Sequence, residues 1–171
     1  LLLALSLLTA PVTAASRGAL PTTVVFTVGS PVYTVNGRVY AMDVAPFIAP
    51  RSNRLYVPAR FLAQALGAAV SWNAATAAVA LNLEENGGWG RDLDLGLVVG
   101  EKTLTLTNGP GSRGIQAQFV FTQKVAMDTA PVIVDGRAMV PARWVGQALG
   151  CGLRWDQAGQ RLVITAPESG L

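Results

Sequence analysis

The chain has no histidine and a single cysteine, Cys151. Without histidine there is no Ser-His-Asp or Cys-His catalytic unit, no imidazole-bound zinc or copper, and no imidazole pH switch. One cysteine excludes an intrachain disulfide and a Cys-rich zinc or iron–sulfur site. Charge is also scarce. Only 13% of the 171 residues are charged, against about 25% in ordinary soluble domains. The formal net charge of +3 comes from 13 Lys+Arg against 10 Asp+Glu. The basic residues are scattered singly, so no run forms a nucleic-acid or polybasic membrane patch.

What the chain has instead is apolar sequence, 51% by residue. Part of it lies at the start, where Leu1 to Leu8 form a run of eight residues with only Ser6 polar. Spanning a bilayer takes about 20. Small residues follow, and Val12-Thr13-Ala14 and Thr13-Ala14-Ala15 both suit cleavage. Residues 1–15 are therefore expected to be a secretory signal peptide whose charged n-region is missing, cleaved near Ala14 or Ala15. The expected location is secreted or cell-envelope associated, with no transmembrane segment in the mature chain.

An internal repeat dominates the rest. The stretch Arg54 to Gly67 recurs 83 positions later as Arg137 to Gly150, and the same offset pairs Trp72 with Trp155. Upstream, Ala41-Met42-Asp43-Val44-Ala45-Pro46 matches Ala126-Met127-Asp128-Thr129-Ala130-Pro131. Repeat 1 is placed at 24–83, a Gly-rich connector at 84–94, and repeat 2 at 95–166. Within each copy, Asn36-Gly37 and Asp135-Gly136 lie between strand-like runs, and such dipeptides tolerate the positive φ of a tight hairpin. Pro58 and Pro141 suit the first turn of a short helix, and Gly67 and Gly150 the left-handed position past its end. The expected class is α+β: two tandem repeats, each an antiparallel β-sheet packed on one short α-helix.

The repeated string Asp-x-x-Pro, then Arg-x-x-Val-Pro-x-Arg, then Gly and Trp-Asn/Asp resembles the copper amine oxidase N-terminal domain family. Asp43, Pro46, Arg54, Val57, Pro58, Arg60, Gly67 and Trp72 carry it once, and Asp128, Pro131, Arg137, Val140, Pro141, Arg143, Gly150, Trp155 and Asp156 carry it again. The resemblance implies a stalk-like, non-catalytic domain of exported bacterial proteins. It does not imply amine oxidation, which belongs to a separate catalytic domain with three histidines on copper and a quinone made from a tyrosine that follows asparagine. Here Tyr33, Tyr40 and Tyr56 follow Val32, Val39 and Leu55.

Several residues have competing readings. Asp43 with Arg60, and Asp128 with Arg143, are candidate charge pairs that pin each helix to a strand; capture of an acidic ligand by either arginine is the lesser reading. Trp72 and Trp155 are expected in the core, with sugar stacking second. Trp89 sits in the Gly-rich connector and is the candidate ligand contact. Glu84, Glu85, Asn86, Asp92 and Asp94 fit no EF-hand spacing and read as a solvated loop. Cys151 takes the place of Ala68 and reads as a small buried residue. No catalytic residue, metal or cofactor is assigned. The expected function is a non-catalytic structural or interaction module whose partner is a cell-wall polymer or another envelope protein, with no nucleic acid. The alternative is a cell-wall glycan or peptide binding module.

Overall fold

The computed structural model describes residues 22–83, 92–108 and 121–166. The signal-like segment, Trp89 with most of the connector, and the 167–171 tail lie outside the described residues. The chain is mostly β, with fourteen strands in three antiparallel sheets and two short helices among the described residues.

The first copy runs β1 (Thr23–Thr27), β2 (Val32–Val35), β3 (Arg38–Ala41), β4 (Phe47–Ala49), β5 (Arg54–Pro58), α1 (Ala59–Ala65), β6 (Ala69–Asn73) and β7 (Ala78–Leu83). The second repeats that order as β8 (Leu93–Val98), β9 (Thr103–Asn108), β10 (Phe121–Ala126), β11 (Val132–Val134), β12 (Arg137–Pro141), α2 (Ala142–Ala148), β13 (Gly152–Asp156) and β14 (Arg161–Thr165). The turn residues behave as their chemistry requires. Asn36-Gly37 and Asp135-Gly136 all have positive φ and close the β2–β3 and β11–β12 hairpins. Gly67 and Gly150 sit at φ of +71° and +73° just past the helices. Both prolines fall one place earlier than expected, at the helix N-caps.

The sheets do not respect the repeat boundary, which corrects the expectation of one sheet per copy. One sheet has the order β13-β14-β1-β2-β3, so the opening strands of copy 1 pair with the closing hairpin of copy 2. The second has the order β10-β9-β8-β7-β6 and makes the reciprocal exchange. The third, β11-β12-β5-β4, joins the copies at its centre. There Val57 faces Val140, its own counterpart at the offset of 83. A pseudo-two-fold axis therefore runs through that pair, as in a symmetric dimer fused into one chain. The matching contacts Val24–Ile164 and Leu81–Leu95 confirm the relation.

One apolar cluster joins both copies, with Phe26, Val57, Leu62, Leu81, Leu95, Val140, Val145 and Ile164 fully buried. Helix α1 packs on β12 as well as on β5 and β6, and α2 packs on β5, β12 and β13. Strand β8 begins at Leu93, inside the stretch read as connector. Leu93 is buried and faces Leu83, so the alternation Leu93, Leu95, Leu97 already points inward.

The copies differ at one tight contact. A Cβ on Gly146 of α2 would stand 2.7 Å from Leu153 Cδ2. Copy 1 has Ala63 and Val70 at these places, a larger helix residue against a shorter strand residue. Gly146→Ala is expected to destabilise by about 1–3 kcal/mol through overpacking. Adding Leu153→Val should remove that penalty and leave the gain in helix propensity, up to ~1 kcal/mol. Urea unfolding of the single and double variants checks both.

Candidate functional site

Two ion pairs cross between the copies. Arg137, at the start of β12, places Nε 2.6 Å from Asp43 Oδ2, and its Nη2 reaches the same oxygen. Arg54, at the start of β5, does the same to Asp128, with Nε at 2.7 Å from Oδ2. The Asp128 carboxylate also accepts the Trp144 indole N–H at 2.6 Å on Oδ1. The expected pairs Asp43/Arg60 and Asp128/Arg143 are thus corrected. The first arginine of each motif makes the bond, and it bonds the aspartate of the other copy. The reason is the β5–β12 ladder, which brings each arginine alongside the opposite copy. Arg60 and Arg143 are exposed on the first turn of α1 and α2. Neither has a hydrogen-bond partner among the described residues, and Arg60 acts on Asp43 only through space.

The hydrogen bond from Arg137 holds the Asp43 carboxyl below the usual carboxylate range, and Arg54, then Trp144, do so for Asp128. A lowered folded-state pKa means the pairs stabilise the fold above the unfolded value of about 3.9 and cease to do so as pH falls through the folded value. The melting temperature is therefore expected to fall more steeply between about pH 5 and about pH 2 in the native chain than in an Arg54→Gln/Arg137→Gln variant. Parallel curves would show that the pairs contribute nothing.

Other cross-copy ties are neutral. Buried Tyr56 bonds through its hydroxyl to Thr129 Oγ1 at 2.6 Å and donates to the Ala130 carbonyl at 2.7 Å. Within each copy, Gly29 N–H donates to Pro46 O at 2.8 Å and Gly100 N–H to Pro131 O at 2.9 Å. That bond places the proline of Asp-x-x-Pro in the fold.

The pseudo-two-fold generates two matching clefts, each built from both copies. One, of about 680 Å³, lies beside α1 between Arg60, Trp72 and Val79 of copy 1 and Ile133, Arg137 and Ala138 of copy 2. Its twin beside α2, of about 430 Å³, is lined by Arg143, Trp155 and Leu162 of copy 2 and Ile48, Arg54 and Leu55 of copy 1. These sets correspond residue for residue across the repeat. No acidic side chain is among the described residues that line either cleft.

Trp72 is not a core residue, contrary to expectation. It is 48% exposed. It shares a sheet face with buried Val79 and borders the open cleft beside α1. Trp155 on β13 is half-buried against the core, and its indole N–H donates to Gln157 Oε1 at 2.9 Å. Cys151 is buried as expected, and burial pushes its thiol pKa up to about 12, which keeps it protonated and unreactive at neutral pH. Asp94 accepts from Asn82 Nδ2 at 2.6 Å across the β7–β8 ladder. Among the described residues no three Cys, Asp or Glu side chains gather as a metal site.

Residues 12–81 and 95–167 each match the copper amine oxidase N-terminal domain family. The chain belongs to that family, in two tandem copies. No curated protein and no solved structure matches it. The copper amine oxidase N-terminal domain is a non-catalytic module of the enzymes that carry it. The side chains here do not fit the copper of the family name, because the chain has no histidine and its one thiol is buried alone. Six of the family's motif residues join the two copies. Asp43, Asp128, Arg54 and Arg137 form the crossed pairs, and Val57 and Val140 mark the axis. Sequence reasoning found these residues. It missed the clefts, whose walls come from positions more than fifty residues apart.

Proposed function

We propose that the protein is a non-catalytic, exported module of the cell envelope or extracellular space that acts as a structural and interaction element. The observation that carries this is the crossed construction. The charged pair and the central valine of each motif are spent on joining two copies into one body, and the polar surface that the motif leaves over among the described residues is a pair of Arg–Trp clefts rather than an assembly of acid, base and nucleophile. Family membership supports the non-catalytic part. The apolar run from Leu1 to Leu8, with small residues around Ala14 and Ala15, supports export. No described helix is long and apolar enough to cross a membrane.

Expression of the tagged protein in a bacterial host, followed by fractionation and N-terminal mass spectrometry, tests the reading. The expected product lies outside the cytoplasm and begins just after Ala14 or Ala15. An uncleaved chain confined to the cytoplasm would overturn it. A second reading, capture of cell-wall glycan or peptide, is favoured by one observation, the exposed indole of Trp72 in a cleft flanked by arginines.

A further inference from the structure

The geometry points to the cleft beside α1 as a docking site for an extended acidic peptide that adds to the edge of β6. The inference deepens the interaction role proposed above and rests on it.

The cleft opens between two outer strands. β6 ends the sheet β10-β9-β8-β7-β6, and β11 ends the central sheet. An outer strand presents a row of N–H and C=O groups with no ladder partner, which an extended peptide can pair with. Ala69, Ser71, Trp72 and Asn73 of β6 are exposed, so the edge is open to solvent. Beside it the cleft offers apolar surface: Val70 and Val79 on the floor, with Trp72 48% and Ile133 47% exposed. A strand bound at the edge turns alternate side chains the same way. One set can therefore cover the indole of Trp72 and the side chain of Ile133.

Charge selects the class of peptide. Arg60 and Arg137 line the cleft, no carboxylate is among its described lining residues, and the Asp43 carboxylate beside them offsets only one of the two charges. Arg137 is held by Asp43, while Arg60 makes no hydrogen bond among the described residues. An exposed planar guanidinium that makes no hydrogen bond among the described residues can take a carboxylate in a bidentate pair. The lining also favours peptide over sugar. A hydroxyl-rich ligand needs several polar partners, and apart from the two arginines the described lining offers only the Gln64 amide and the Trp72 indole N–H. The twin cleft differs on this point. Asn53, Gln157 and Gln160 line it, and its indole N–H is already engaged by Gln157. It is therefore an internal comparison within the same molecule.

The test is fluorescence anisotropy of a short dye-labelled peptide built from valine, leucine and glutamate, titrated with the whole protein. Saturable binding is expected, weakened by salt and lost when lysine replaces glutamate in the peptide. Arg60→Glu and Trp72→Ala should each raise Kd by about tenfold or more. Arg143→Glu, at the matching position of the twin cleft, should leave it unchanged. Both cleft side chains are exposed, and a circular dichroism melt of each variant establishes that the fold is intact. The proposal falls if the peptide does not bind, if binding ignores Arg60→Glu and Trp72→Ala, or if polygalacturonate binds through these residues in place of the peptide. Any of these results leaves the export reading standing, because fractionation alone decides that.

Discussion

A chain reduced to residues 22–83 will not fold as a monomer. Copy 1 alone keeps β1 to β7 but loses the partner of nearly every central strand. Strand β1 loses β14, β5 loses β12, and β7 loses β8. The exposed edges would carry Val24, Phe26, Val57 and Leu81, all fully buried in the intact protein. A unit of roughly 60 residues is already marginal because it buries so little of its surface, and this one would leave a large part of its core in water. Two outcomes are compatible with the crossed construction. The fragment is unfolded, or it self-associates about the same pseudo-two-fold, since Val57 can face Val57 of another copy as it now faces Val140. Circular dichroism and sedimentation across a concentration series distinguish them. A folded monomer at low concentration would refute the interlocked arrangement.

Phe26→Ala should be among the most damaging single substitutions. Phe26 lies on β1 with no exposed surface, opposite Leu162 of the other copy, and its ring stacks on Tyr33 at a centroid distance of 5.2 Å. Truncating a buried phenylalanine costs about 3–5 kcal/mol, from lost transfer energy and the cavity left behind. Typical domains have only about 5–15 kcal/mol of stability in total. The site offers little room to collapse, because β1 is the third of five strands and is held on both sides. Tyr40→Ala is the control. Tyr40 also stacks on Tyr33, at 5.4 Å, but it is 42% exposed on the outer strand β3. Denaturant unfolding should show a clearly smaller loss for Tyr40→Ala, and equal losses would place the core elsewhere.

Much of the local structure was legible in the residues. Asn36-Gly37 and Asp135-Gly136 announce hairpins because few other dipeptides accept two successive positive φ angles. Gly67 and Gly150 mark helix ends for the same reason. Helical spacing puts Phe61, Leu62, Ala65 and Leu66 on one face, and of these Leu62, Ala65 and the C-cap Leu66 are buried while Phe61 is half-buried. What failed were the statements about partners. The repeated motif suggests Asp43 with Arg60 as a pin between helix and neighbouring strand. The ladder Val57–Val140 matches Asp43 to Arg137 instead. The place of Trp72 on an apolar strand predicts a core residue, but its side chain borders the open cleft between the copies, a surface that only the tertiary structure creates.

The sequence by itself determined the repeat, the hairpin turns, the two helices and the family. It could not determine which copy supplies each strand's partner. Val79 and Leu81 of β7 present the same inward pattern as Leu162 and Ile164 of β14, so β1 and β8 could each pair with either. Periodicity specifies a face and leaves the partner open. The tertiary structure decided it through chain connectivity. Leu83 and Leu93 lie opposite each other, so β8 folds straight back on β7, the pairing with the shortest loop to close. With β7 occupied, β1 is left to β14. The crossed sheets, the crossed ion pairs and the two clefts all follow from that exchange.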